Sequence, residues 1–179
     1  MTDAPHPLFD MLQASLLRLA ARMPEAPVSG IMLSRLLQQA GRGMAAMLEQ
    51  QIRPFGLNEA EFRVLTALFT QPEGVSHPSD LCSRTSQSPA NMSRISDALV
   101  SRNLITRVLS EQDRRRMVMR ITETGEELVR RLMPVLWAPV REMFKDFSEA
   151  EQAQLIALLV RVNAKLDEVT EPHSLERPL

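Results

Sequence analysis

Apolar residues recur at spacings of three and four along most of this chain. Leu8, Met11, Leu12, Leu16 and Leu19 share one helical face and predict a helix over Leu8–Met23, ended by Pro24-Glu25-Ala26-Pro27. A long helix is predicted from about Ser29 to Arg53, stopped by Pro54 and Gly56. Asn58-Glu59-Ala60-Glu61 reads as a capping box, an acceptor side chain with glutamate three residues on, and opens a helix over Glu59–Thr70. Gln71–Ser76, with Pro72 and Gly74, reads as a loop. Pro78 and Pro89 each suit the first turn of a short helix, where a missing N–H is harmless, with His77 and Ser88 as the preceding caps. These helices cover Pro78–Arg84 and Pro89–Arg102. The period then changes: apolar positions alternate over Leu104–Leu109 and Met117–Ile121, which predicts a hairpin. Thr122 caps a helix to about Phe147, in which Pro134 and Pro139 should cause a bend or break. Ser148-Glu149-Ala150-Glu151 opens a last helix to about Val169, with a broad stripe of Leu155, Ile156, Leu158, Leu159, Val162 and Leu166. Residues 1–7 and 171–179 read as loose ends.

Helices, two short helices in tandem, a hairpin and more helices make a mainly α fold with a small β-hairpin, in the α+β class. This is a winged helix-turn-helix between N- and C-terminal dimerisation helices. The expected division is 1–57 (N-terminal helices), 58–121 (the winged helix-turn-helix), 122–170 (C-terminal helices, forming the dimerisation region with 1–57) and 171–179 (tail). The terminal helices carry more apolar surface than a small central lobe can cover. A two-fold homodimer with interdigitating helices from both subunits resolves that excess economically.

Composition narrows the class. The chain is 44% apolar, enough for a core, but only 4% aromatic with no tyrosine, which disfavours aromatic-rich sandwiches and barrels. Its apolar runs fall short of a membrane span, and it begins without a basic-then-apolar signal pattern, so no membrane association is expected. A lone cysteine allows no internal disulfide and fits a reducing, cytoplasmic setting. The net charge of −1 is uninformative until its distribution is read. From Arg84 to Arg120 eight arginines face Asp97, Glu111 and Asp113, a local +5, while the remainder carries 13 basic and 19 acidic residues. Basic charge concentrated on an acidic body is an oriented footprint for phosphate.

The helix over Pro89–Arg102 has an inward side, Met92, Ile95 and Leu99. Pro89, Ala90, Asn91 and Arg94 lie elsewhere on its first turns, where a major-groove helix presents side chains to base edges. Asn pairs bidentately with adenine and Arg with guanine. Ser88, Ser93 and the helix's first N–H groups suit phosphate. At the hairpin tip Asp113-Arg114-Arg115-Arg116 forms a charged wing: Arg114 or Arg115 can extend into the negative minor groove, and Asp113 pairs with an arginine to fix the tip. No metal-ligand spacing, glycine-rich phosphate loop or nucleophile–base arrangement can be read, so neither an enzyme nor a cofactor is expected. Cys82, in the first helix of the tandem, reads as a buried inert thiol.

Leu81–Ile105, the Asp113-Arg114-Arg115 wing, the following Ile121-Thr122-x-x-Gly125 and the phrase from Phe55 to Leu65 together resemble the MarR family of bacterial transcriptional regulators. The N-terminal extension, the long helix and Pro78-Ser79-Asp80-Leu81 are most similar to its EmrR/MprA branch, repressors of multidrug efflux operons. The resemblance implies an obligate dimer on a pseudo-palindromic operator in double-stranded DNA, released by a small lipophilic or aromatic-acid effector. Activation or relief of silencing by the same fold, or a winged helix that docks proteins, are the alternatives. Three positions depart from the pattern: Pro89 for a longer polar residue, Thr85 for leucine, and Asn103 for the glycine before the hairpin. An effector site is expected where the long helix (Arg35, Met44, Met47, Leu48) meets the next (Phe62, Leu65, Phe69). Methionine and phenylalanine make an adaptable apolar pocket there, and Arg35 would hold an anionic group.

Overall fold

The computed structural model describes residues 7–109 and 117–170, in two compact units, Met1–Val129 and Arg130–Leu179. In the first unit α1 (Pro7–Arg22) and α2 (Val28–Ile52) precede a 3-10 turn, Arg53–Phe55. Then follow α3 (Glu59–Phe69), a second 3-10 turn (Pro72–Gly74), β1 (Val75–Ser76), α4 (Pro78–Thr85), α5 (Pro89–Ser101), β2 (Ile105–Leu109) and β3 (Met117–Ile121). Next come α6 (Glu123–Phe144) and, within the second unit, α7 (Glu149–Thr170).

Most helix starts follow their local chemistry. Asn58 accepts from the Glu61 N–H at 2.9 Å while Glu61 accepts from the Asn58 N–H at 3.1 Å, the reciprocal pair of a capping box. Ser148 and Glu151 repeat it at the start of α7. The expected His77 cap is a correction: His77 occupies the cap position of α4 without a side-chain hydrogen bond, so Pro78 at the first turn sets that start. A second correction concerns the break allowed for in α6: the helix continues through Pro134 and Pro139. Each proline removes one donor, but Pro134, Val135 and Trp137 are exposed and water can serve the vacated carbonyls. Third, Val75–Ser76, read as loop, is a short strand: the three strands lie antiparallel in the order β1-β3-β2, with Val75 opposite Arg120 and Ile105 opposite Ile121.

The core of the first unit sits where α3, α4, α5 and the sheet converge. Leu65, Leu68, Leu81 and Leu99 are each 0% exposed, with Met92, Ile105, Val118 and Ile121 also buried. Fully burying one such side chain contributes about 1.5–3 kcal/mol, so this cluster fixes the helix-turn-helix on its strands. Thr85, at the leucine-like position, is also buried; its hydroxyl donates to Leu81 O at 2.6 Å and so carries no unmet donor into the core. Ser86 (φ 53°) and Asn103 (φ 56°) take left-handed conformations at the ends of α4 and α5, the latter as expected of Asn in place of glycine.

Candidate nucleic-acid interface

The first turns of α5 separate cleanly into two faces. Met92, Ile95, Ser96 and Leu99 point inward and are buried; Pro89, Ala90, Asn91, Ser93 and Arg94 are exposed. Ser88 caps the helix by accepting from the Asn91 N–H at 3.2 Å, and its own hydroxyl proton stays available to an anion. Asn91 Nδ2 donates to Gln87 Oε1, while Gln87 Nε2 donates to Thr85 O at 3.2 Å. The turn between α4 and α5 therefore holds the Asn91 amide in one orientation, with its second N–H and its oxygen still free to pair with a base edge. Gln87 is a residue the sequence pattern did not single out; only its place four residues before Asn91 hints at the contact.

The join between α5 and β2 is fixed by residues of the motif that follows the hairpin. Thr122 Oγ1 donates to Asn103 O at 2.7 Å, the Thr122 N–H reaches Leu104 O at 3.0 Å, and the Gly125 N–H reaches Thr122 Oγ1 at 3.0 Å. A Cβ on Gly125 would lie 2.2 Å from Leu104 O, so this helix start can press against the hairpin only as glycine. That close approach is the physical content of the Ile121-Thr122-x-x-Gly125 motif.

The arginines divide by task. Arg102 donates to Gly56 O at 2.6 Å and Phe55 O at 3.0 Å and stands 3.7 Å from Glu61, tying the end of α5 to the approach to α3. Arg107 on β2 bonds Asp97 and Ser96 and reaches Ser93 O at 3.4 Å, all on α5. These two therefore make their bonds within the fold and contribute less to the basic footprint than a bare charge count suggests. Arg84 and Arg94 are exposed and pair with no described residue. Asp113, Arg114 and Arg115 lie outside the described residues.

Beneath α5 a groove of about 530 Å³ opens against the sheet, lined by Pro78, Cys82, Pro89, Met92, Arg107 and Met119 among others. Cys82 is half-buried on its wall, not fully buried as expected, because packing between α4 and β3 leaves this gap. Of the residues expected around an effector, Leu65 is wholly in the core, Met47, Leu48, Phe62 and Phe69 are half-buried, and Arg35 and Met44 are exposed. Among the described residues no cluster of His, Cys, Asp or Glu is placed to hold a metal ion, and no helix is long and apolar enough to cross a membrane.

Comparison with known proteins agrees with this geometry. A MarR family model matches residues 55–116, from the approach to α3 to the residue before β3. The chain is 28% identical to the transcriptional repressor MprA of Escherichia coli K12 over 152 residues, 85% of this chain and 86% of that protein. It is 30% identical to the HTH-type transcriptional regulator MhqR of Bacillus subtilis over 132 residues, 73% of this chain and 90% of that one. Among solved structures, Bordetella bronchiseptica BpsR superposes with a TM-score of 0.63 at 26% identity, covering 73% of this chain and 91% of that chain; it was described for regulation of its DNA binding by 6-hydroxynicotinic acid. With a helix-turn-helix packed on its strands, a glycine-dependent join to the hairpin and these relatives, the chain belongs to the MarR family of transcriptional regulators.

Proposed function

We propose that the protein is a ligand-responsive, dimeric transcriptional repressor that binds a pseudo-palindromic operator. The observation that carries this reading is the outward face of α5: Asn91, held by Gln87, and the exposed Arg94 stand beside the Ser88 cap on a helix anchored by a fully buried inner face. In a two-fold dimer the two α5 helices read successive major grooves about 34–36 Å apart, and Arg114 and Arg115 of each wing enter the flanking minor grooves. Exposed apolar residues on α1 (Met11, Leu17), on α2 (Leu33, Leu37) and along α7 support self-association through the terminal helices. A cytoplasmic setting follows from that role.

Release by a small lipophilic or aromatic-acid compound is supported by what is described for BpsR, and repression by the name of MprA. Similarity to the EmrR/MprA branch supports efflux genes as the target. The effector would lie between α2 and α3, with Met44, Met47, Phe62 and Phe69 around it and Arg35 on an anionic group; Leu65 serves as the wall behind them. It acts only through its difference in affinity for the DNA-competent and DNA-incompetent forms, typically about 1–3 kcal/mol.

Fluorescence anisotropy with a duplex enriched from a random pool, against a scrambled duplex, at two salt concentrations tests the DNA reading. A sequence preference that survives added salt is expected. Equal binding to both duplexes, vanishing together as salt rises, would indicate a basic surface suited to acidic proteins instead.

A further inference from the structure

The buried inner face of α5 ends at a groove of about 530 Å³, whose lining includes Met92, Ser93 and Ser96 of α5 and Met117, Val118 and Met119 of β3. Close packing ordinarily fixes a helix's rotation and tilt, so at the groove's edge polar contacts share that task. Arg107 spans that region from β2. One of its nitrogens lies within reach of Asp97 Oδ1, Ser96 Oγ and, at 3.4 Å, Ser93 O, all within two turns of α5, and its two N–H groups bind two of these acceptors at a time. Ser96 is itself fully buried, and its hydroxyl donates to Ser93 O at 3.0 Å, so the guanidinium closes a compact network on the helix. Ser93 and Arg94 belong to the exposed face that would meet DNA, and β2 is the strand that leads into the wing.

We infer that the Arg107–Asp97 pair is a positioning device for DNA reading: it fixes the rotation of α5 relative to the wing strand, and neither side chain contacts phosphate. The inference rests on the DNA-binding reading above. It carries a sign opposite to simple electrostatics. Removing an acid from a DNA-facing helix ordinarily strengthens binding by lowering repulsion with phosphate. Here Asp97→Asn releases Arg107, loosens α5 and weakens specific binding.

The test uses the full chain and a duplex enriched from a random pool by the wild-type protein, titrated by anisotropy from low to moderate salt, with thermal melting alongside. Asp97→Asn and Arg107→Met each lower affinity roughly tenfold, the size of one mismatched base pair in a typical site. Both leave the slope of log affinity against log salt unchanged, and the double variant loses little more than either alone. Asp97→Glu, which keeps the acceptor, stays near wild type. Asp97 is largely exposed, so its variants keep the fold and melt close to wild type, which a purely structural role for the pair would not allow alongside reduced affinity. Equal or tighter binding by Asp97→Asn overturns the inference. So does a slope that falls by about 1 or more in Arg107→Met, the mark of a phosphate no longer neutralised. If the wild-type protein enriches no sequence, the DNA reading itself fails and the inference falls with it; if enrichment succeeds, only the pair is on trial.

Discussion

The helix-turn-helix lobe and the last helix treat their apolar residues in opposite ways. Leu65, Leu68, Leu81 and Leu99 of α3, α4 and α5 are wholly buried within one chain. No residue of α7 is buried, and Ile156, Val160 and Val169 are each more than 60% exposed. The lobe is thus stabilised by its own packing and can hold Asn91 and Arg94 in place unaided. Helix α7 is written in the same alphabet of leucine, isoleucine and valine, but no described residue of it is buried. One region is held by intramolecular burial; the other, in the proposed dimer, waits for a partner of like surface. In the proposed repressor the first recognises DNA and the second sets the distance between two recognition helices.

The sharpest way to break that contrast is at the join that keeps the lobe whole. Gly125→Ala would place a methyl group 2.2 Å from Leu104 O, so the start of α6 must move away from the hairpin. A loss on the order of 4 kcal/mol or failure to fold is expected, since a buried clash against backbone is among the most damaging substitutions. Melting within a few degrees of wild type would show that the motif glycine serves something else.

Next in size, Leu99→Ala should cost about 2–5 kcal/mol at every protein concentration, as a cavity in a sealed core does. Ile156→Ala should leave unimolecular stability unchanged while weakening self-association by about tenfold, the effect of truncating an ordinary interface side chain. Sedimentation and melting across a concentration series separate the two. If both variants behave alike, the two regions are not differently stabilised.

Smaller still is Arg115→Ala in the wing. Operator affinity and its salt slope should both fall, the slope by about 1 for each phosphate the side chain had neutralised, with little change in melting. Unchanged affinity in an anisotropy titration would remove the wing from the interface.

The slightest effect concerns the start of α7. The Ser148 hydroxyl and, secondarily, its backbone N–H hold the Glu151 carboxyl below its usual value. A carboxyl with a depressed folded value adds stability that is present above its unfolded value and fades as pH drops through the folded one. The first turn of α7 should therefore loosen only in acid below the ordinary glutamate range, seen as faster amide exchange at Ser148 and Glu151. Glu151→Gln should abolish that pH dependence; exchange that stays acid-sensitive in this variant would place the cause elsewhere.

What could be read in the sequence was what local chemistry dictates. The capping boxes at Asn58 and Ser148 are reciprocal bonds three residues apart, so letters and structure coincide. The inward face of α5 follows from helical period, and the hairpin from alternation. What could not be read depends on distant partners. Arg102 counted as positive charge for DNA until the fold brought Gly56, forty-six positions away, under its guanidinium. Arg107 likewise became a brace once β2 lay beside α5. Strand β1 has only two residues, too few to show a period, and exists because β3 offers it an edge. The prolines of α6 each remove one helix bond, but whether the helix continues past them depends on how the vacated carbonyls are served, and exposure is a property of the folded molecule.

Hydroxyl-radical footprinting on an enriched duplex tests the central claim most directly. Two protected half-sites, related by a two-fold axis and centred about one helical turn apart, are expected, with protection extending into the flanking minor grooves. A single asymmetric patch, or protection that does not depend on sequence, would contradict paired recognition helices on an operator.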